Sequence, residues 1–244
     1  ECAGALGVSL DSRQVDAFRR YLELLCEWNQ RFNLTAITDP QEVLVKHFLD
    51  SLTCAAAVDL SAQRVLIDVG TGAGFPGLVL KIAAPHLEVR LLDAVQKRLN
   101  FLERVAQELG LTGVTTLHAR AEDAAAAPGQ LSRRKSPAPA PAVSLREAAD
   151  VVTARAVARL NVLAEWTLPL ARVGGRVVAM KGPQIEEEVA EAARAIELLG
   201  GGEPEVRSFR LPPDIGRSLV IIPKVHATPR KYPRPPGTAR KSPL

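Results

Sequence analysis

The run Asp68-Val69-Gly70-Thr71-Gly72-Ala73-Gly74-Phe75-Pro76-Gly77 constrains this chain more than any other feature. It follows a short apolar stretch, residues 65–69, and precedes a segment with helical spacing. A tight passage from strand to helix needs backbone conformations closed to most residues, and it lets a ligand approach the main chain. Strand, glycine loop and helix in that order predict a doubly wound α/β sheet with a ligand at its first crossover.

The rest of the chain fits such a sheet. Strands are expected at 65–69, 89–92, 114–117, 150–154 and 176–180, separated by helical patterns, with a closing hairpin at 206–211 and 218–225. Two helices precede the sheet. The first, 11–32, carries Val15, Phe18, Leu22, Leu25 and Phe32 on one stripe. The second starts at Asp39-Pro40-Gln41-Glu42, read as a capping box with Pro at the first helical position. The expected organisation is a helical appendage at 1–62, an α/β domain at 63–226 and a basic tail at 227–244. Residues 124–148, rich in Ala, Pro and Ser around Arg133-Arg134-Lys135, are expected as an exposed insertion.

Charge is distributed unevenly. Lys and Arg number 31 against 27 Asp and Glu, yet six of the basic residues lie in 223–244, which holds no acid. An acidic body with a basic end suggests contact with nucleic acid, and a solvated terminus fits the charge equally well. Arg230, Lys231, Arg234, Arg240 and Lys241, spaced by Pro and Gly, are expected to stay extended and available to phosphates. Three widely spaced cysteines argue against a disulfide framework or a zinc site. No apolar run is long enough for a membrane span, and Glu1-Cys2-Ala3-Gly4 has no leader character. A reduced, cytoplasmic, metal-free monomer is the expectation.

The loop fits two cofactor classes. Gly72-x-Gly74-x-x-Gly77 matches the dinucleotide pattern, and Asp93 at the next strand end suits ribose hydroxyls in either class. The longer form, an acid at Asp68 followed by Gly70, Gly72 and Gly74, favours S-adenosylmethionine (SAM), whose amino group is cationic. Ala121-Glu122-Asp123 follows the third strand, where an amide and a carboxylate suit adenine. Arg155, at the expected end of the fourth strand, faces the same rim and is read as a positioning residue. His47, Asp50 and Ser51 share a helix face at i, i+3, i+4, which suits a hydrogen-bonded patch or a substrate contact. Asn33 is suited to brace the turn between the two helices, and Trp28 and Phe32 read as core.

The sequence resembles the bacterial small-subunit ribosomal RNA methyltransferase G family, also called glucose-inhibited division protein B, over nearly its whole length. The resemblance is carried by Trp28-Asn29, Asn33-Leu34-Thr35, His47-Phe48-Leu49-Asp50-Ser51, the glycine loop with Phe75-Pro76-Gly77, and Leu91-Leu92-Asp93. Lys97-Arg98, Phe101-Leu102, Arg155-Ala156, Lys181-Gly182 and Lys231-Tyr232-Pro233-Arg234 extend it. It implies a class I SAM-dependent methyltransferase, a Rossmann-like fold. Cofactor contacts are implied at Gly70, Phe75, Ala121, Glu122 and Arg155, with Asp93 and Ala94 beside them. Transfer to N7 of a guanine in the 530 loop of 16S rRNA is implied too, with Asn33, His47, Lys181 and the tail cations on the RNA side.

The residues are compatible with that chemistry. Methyl transfer from a sulfonium is an in-line displacement that asks chiefly for alignment and a suitable field. Guanine N7 has a free lone pair and no proton to lose, so it needs neither a general base nor a covalent nucleophile. No cysteine stands at a strand end in the cofactor half, and no Asn/Asp-Pro-Pro-aromatic motif is present. The competing readings are a nicotinamide-dependent oxidoreductase on the same loop, a non-catalytic RNA-binding or assembly factor, and a methyltransferase acting on protein or a small molecule.

Overall fold

A computed structural model describes residues 2–127, 144–155 and 157–244. Among the described residues seven strands form one sheet in the order β3-β2-β1-β4-β5-β7-β6, numbered along the chain. β1 (Val65–Val69), β2 (Glu88–Asp93), β3 (Val114–His118), β4 (Ala149–Arg155) and β5 (Ala171–Lys181) run parallel, as expected for strands joined by helices. β6 (Glu205–Leu211) and β7 (Ile215–Pro223) close the sheet as an antiparallel hairpin, β7 against β5. The chain leaves β1 toward β2 on one side and returns to β4 on the other, so the strand order reverses between β1 and β4. A crevice is expected there, at the carboxyl ends of the strands.

Alternation along each central strand divides the core in two. Leu66, Leu91 and Val151 pack under α2 (Ser12–Phe32), α4 (Asp50–Ala57), α5 (Gly77–Ala83) and α6 (Gln96–Glu108). Their neighbours Ile67, Leu92 and Val152 pack against α7 (Ala121–Ala124), α8 (Leu160–Thr167) and α9 (Glu186–Leu198). Strands buried on both faces must be apolar at consecutive positions, which is why β1 reads Val-Leu-Ile-Asp-Val with a single charge. Among the described residues no helix is long and apolar enough to cross a membrane.

The N-terminal helices share the first of these cores. Phe18, Tyr21, Leu24 and Leu25 of α2 lie in one cluster with Leu78, Phe101 and Leu102 of the sheet's own helices. A short helix, α1 (Cys2–Ala5), precedes α2. Asp11 and Gln14 form a full capping box at the start of α2, and Gln14 also donates to the Ile82 carbonyl at 2.8 Å. That bond ties α2 to the end of α5. Trp28 lies 5.6 Å from Phe101, ring centre to ring centre, in keeping with a packing role.

The second expected helix departs from a simple pattern. α3 (Pro40–Val43) starts with Asp39 accepting from the Glu42 amide, but Glu42 pairs with Lys46 instead of completing the box. A π-helical turn, Leu44–Leu49, then joins α3 to α4. The wider turn keeps His47 and Asp50 on one side of the chain: the Asp50 amide donates to the His47 carbonyl, and both side chains line one cavity. Ser51 also turns back, donating to the His47 carbonyl at 2.6 Å.

Most of the expected insertion at 124–148 lies outside the described residues. Its described ends are packed, with residues 124–127 and Leu145 buried. The tail also differs from the free extended segment expected of it. Tyr232 and Ala239 are buried, Arg234 binds the buried Glu165, and residues Thr238–Lys241 form a last short helix, α10. Proline and cations read as solvated segments only until a buried carboxylate waits for one of them.

Candidate active site

The glycine loop is assembled from the strand ends outward. Gly70 and Thr71 donate to the Leu92 carbonyl at 2.8 and 3.1 Å, and Gly72 donates to Asp93 Oδ2 at 3.0 Å. Asp68 is fully buried. Its Oδ1 accepts from Thr153 Oγ1 at 2.9 Å and its Oδ2 from the Gly77 amide at 3.0 Å. Burial pushes this carboxyl above its ordinary range, against the pull of those donors. The acid before the first glycine therefore clamps both ends of the loop and does not line the cleft beside it.

The glycines serve different ends. At Gly70 a Cβ would meet Val157 Cγ1 at 2.6 Å, and at Gly74 it would strike Tyr21 and Leu102. At Gly72 nothing lies nearer than the Gly70 carbonyl oxygen at 3.9 Å. Phe75 points away from the cleft into a stack of rings, 5.6 Å from Tyr21 and 4.5 Å from His47 between centres.

A cleft of about 300 Å³ opens beyond the carboxyl ends of β1, β2 and β3. Gly70, Asp93, Ala94, Ala121 and Glu122 line it, as expected of the cofactor-binding residues; Asp68, Gly72, Gly74, Phe75 and Arg155 do not. Asp93 receives the Gly72 and Val95 amides and Arg98 at 3.3 Å. Val69, Leu92 and Val157 make an apolar floor, and Trp166, Gly237 and Arg240 close the opposite wall. Two buried carboxylates, Asp93 and Glu122, at stations along a cleft of mixed apolar and arginine lining suit the hydroxyl and amino donors of an adenosine. The donor set fits such a cofactor.

A second cavity, about 350 Å³, lies around the ends of β4 and β5 and the π-helical turn. His47, Arg155 and Lys181 line it together with Lys46, Asp50 and Arg217. Arg155 donates to the Lys46 carbonyl at 3.1 Å and to Asp50 at 3.4 Å, and its guanidinium carbon stands 5.0 Å from the Phe75 ring centre. Arg217 reaches the other Asp50 oxygen at 3.1 Å. His47 Nε2 is 2.8 Å from Thr35 Oγ1 and Nδ1 is 3.1 Å from the Lys46 carbonyl oxygen. Burial, then the charge of Arg155, holds the His47 pKa down at about 4. The ring is neutral at physiological pH. Lys181 is committed to the Ala158 carbonyl and to Glu188.

Arg155 on this cavity and Val157 on the first are two residues apart, so the exit from β4 separates them. Asn33 lies elsewhere, as the left-handed C-cap of α2 with φ 48°. Of the tail cations, Arg230, Lys231, Arg240 and Lys241 are exposed, Arg240 at the edge of the first cleft, while Arg234 is bound to Glu165. Trp166, Val157 and Arg217 were not singled out by sequence reasoning, and Arg98 entered only with Lys97 in the family resemblance. They lie on a helix, in loops and on the late hairpin, and no local pattern marks them.

Comparison with known proteins agrees with this geometry. A family model described as rRNA small subunit methyltransferase G matches residues 14–215. A ribosomal RNA small subunit methyltransferase G of Alkaliphilus metalliredigens is 47% identical over 240 residues, covering 98% of this chain and 94% of that protein. One from Bacillus mycoides is 47% identical over 239 residues, covering 98% and 94%. Among solved structures, a SAM-dependent O-methyltransferase from Thermotoga maritima superposes with a TM-score of 0.53 at 16% identity, covering 84% of this chain and 72% of that one. A 16S rRNA (adenine(1408)-N(1))-methyltransferase from Catenulisporales acidiphilia gives 0.52 at 19% identity, covering 73% and 91%. These last two share the class I methyltransferase fold. A family model spanning most of the chain, and close relatives aligned along nearly all of it, lead to one conclusion: the chain belongs to the rRNA small subunit methyltransferase G family.

Proposed function

We propose that the protein transfers a methyl group from SAM to N7 of a guanine in the 530 loop of 16S rRNA, acting as a cytoplasmic monomer. The observation that carries this reading is the pairing of two adjoining cavities at the strand ends. One offers two carboxylates and apolar side chains to a nucleoside; the other is lined by Lys46, Arg155, Lys181 and Arg217, of which Arg155 and Arg217 share Asp50. Family membership supports the rRNA target and removes the nicotinamide-dependent reading.

Bound SAM supplies an electrophilic methyl group on a sulfonium. In this reading Asp93 and Glu122 hold the nucleoside end, and the Gly70 backbone allows close approach. Arg155 and Arg217, braced by Asp50, hold the anionic and carbonyl groups of the incoming nucleotide. A neutral His47 adds no positive charge next to Arg155 and has both ring nitrogens engaged, so no base is held ready. A target atom with a free lone pair asks for none. Alignment and field are then the main contributions of the protein.

The test is direct. Calorimetry should find binding of SAM and none of NAD, and methyl-labelled SAM should transfer label to small ribosomal subunits lacking their native methylation. Binding of NAD in place of SAM, or SAM binding without any transfer, would overturn the proposal.

A further inference from the structure

The C-terminal segment does more than follow the last strand. Arg146 donates to the Tyr232 carbonyl at 2.7 Å. Arg234 then binds Glu165, its backbone amide at 2.7 Å from Oε1 and its Nη2 at 2.6 Å from Oε2. Glu165 is 1% exposed, so this contact fastens the strap to α8 from beneath. Past that anchor the chain turns at Gly237, whose φ of 83° is open to glycine and strained for other residues. The turn aims the Gly237 amide at Glu122 Oε1, 3.0 Å away. Arg240 follows, with its guanidinium carbon 5.0 Å from the Trp166 ring centre and Nη2 3.4 Å from the Val157 carbonyl oxygen.

The contacts of Gly237 and Arg240 meet in the cleft of about 300 Å³: Glu122, Val157, Trp166, Gly237 and Arg240 line it together. Glu122 is one of its two carboxylates and is buried. An amide bound to one oxygen helps fix the plane of that carboxylate at the edge of the cleft. A guanidinium laid over an indole is preorganised as a flat cationic surface, suited to pack against a nucleobase.

We propose that residues 235–244 form a working wall of the cofactor cleft. The Gly237 amide orients Glu122, and Arg240 contacts the adenine nucleoside of the cofactor. This rests on the reading that the cleft takes SAM. Arg240 is thereby assigned to the cofactor and not to RNA, unlike Arg230 and Lys231, which do not line the cleft. The strap also couples the sites in sequence: the tail that carries Arg230 and Lys231 outward is the tail that shapes the cleft.

Four full-length variants and a truncation ending at Pro236 test this by calorimetric titration with SAM in the absence of RNA. The truncation keeps Tyr232 and the Arg234–Glu165 contact, so its melting temperature without ligand reports whether the fold survives. Arg240→Ala should weaken SAM affinity about tenfold, and the truncation should weaken it further, because Glu122 loses its orienting amide as well. Arg240→Lys, which keeps charge but not the planar fork, should fall between. Arg230→Ala should leave SAM affinity unchanged. Trp166 fluorescence should respond to SAM in the intact protein and respond less in Arg240→Ala. Should the truncation fail to fold, Arg240→Ala decides alone. Asp93→Ala is the reference. If it weakens SAM binding while Arg240→Ala and the truncation stay within twofold of the intact protein, the strap proposal is overturned and the cleft stands. If Asp93→Ala is also without effect, the cleft reading falls and the strap proposal with it.

Discussion

Asp50 and Arg155 face each other across the end of β4, with Arg155 Nη1 3.4 Å from Asp50 Oδ2. Burial raises the Asp50 carboxyl and lowers the Arg155 guanidinium, while the charges of Arg155 and Arg217 pull Asp50 back down. Removing Arg155 leaves a nearly buried carboxylate with Arg217 alone. Arg155→Ala should therefore cost about 2–3 kcal/mol of stability in denaturant unfolding, the scale of a broken buried pair with one partner kept. It should also slow methyl transfer strongly while SAM affinity holds, since Arg155 lines the second cavity. A large loss of SAM affinity would instead place Arg155 in the cofactor site.

Asp93 is the carboxylate on which the glycine loop and the cleft depend together. It takes amides from Gly72 and Val95 and lines the cavity. Asp93→Ala should weaken SAM binding by about 1–3 kcal/mol, as expected when charge-assisted hydrogen bonds are lost. Calorimetry on a folded variant with unchanged affinity would count against the assignment.

The buried neutral state of His47 has a consequence for acid stability. Its pKa is about 4 in the fold against an ordinary 6.5, so between those values the unfolded chain binds more protons than the folded one. Stability must then fall as pH drops from about 6.5 toward about 4, by on the order of 3 kcal/mol at most, and level off below. His47→Asn should flatten that slope in chemical unfolding at a series of pH values. An identical slope in the variant would assign the acid loss to other groups.

The loop glycines give a paired comparison. Gly72→Ala meets only the strain of φ 58° in open space and should cost about 1 kcal/mol. Gly74→Ala adds a clash with Leu102 Cδ2 at 2.8 Å and with Tyr21 to a φ of 99°, and should cost about 3 kcal/mol or more. Equal melting temperatures for the two variants would contradict this division of roles.

How far the sequence could be read follows from what kind of signal each feature leaves. α2 is periodic and β1 is a compact apolar run, so Val65–Val69 and Ser12–Phe32 were legible nearly to the residue, although Asp11, read as the first helical residue, is the cap. Asp93, Ala121 and Glu122 were legible because strand ends in this fold point at the crevice. Asp68 was placed in the right loop, but its bonds to Thr153 and the Gly77 amide were not legible, since a motif records which residue is needed and not which neighbour needs it. Thr153 and the Gly77 amide come from other segments. The π-helical turn at Leu44–Leu49 changes register without changing composition. The strap was missed for a similar reason: Pro and Arg spacing looks solvated until Glu165 and Trp166 on α8 are known to lie beneath it.

The position of the transferred methyl group tests the central claim most directly. Small subunits lacking native methylation would be incubated with the protein and SAM. N7 methylation leaves a cationic guanine, so borohydride reduction followed by aniline treatment breaks the RNA at that nucleotide, and the break can be mapped. The account predicts a single break at a guanine in the 530 loop of 16S rRNA, reduced in Asp93→Ala at limiting SAM. A methyl group found on an exocyclic amine, on another base or on a ribosomal protein would contradict it.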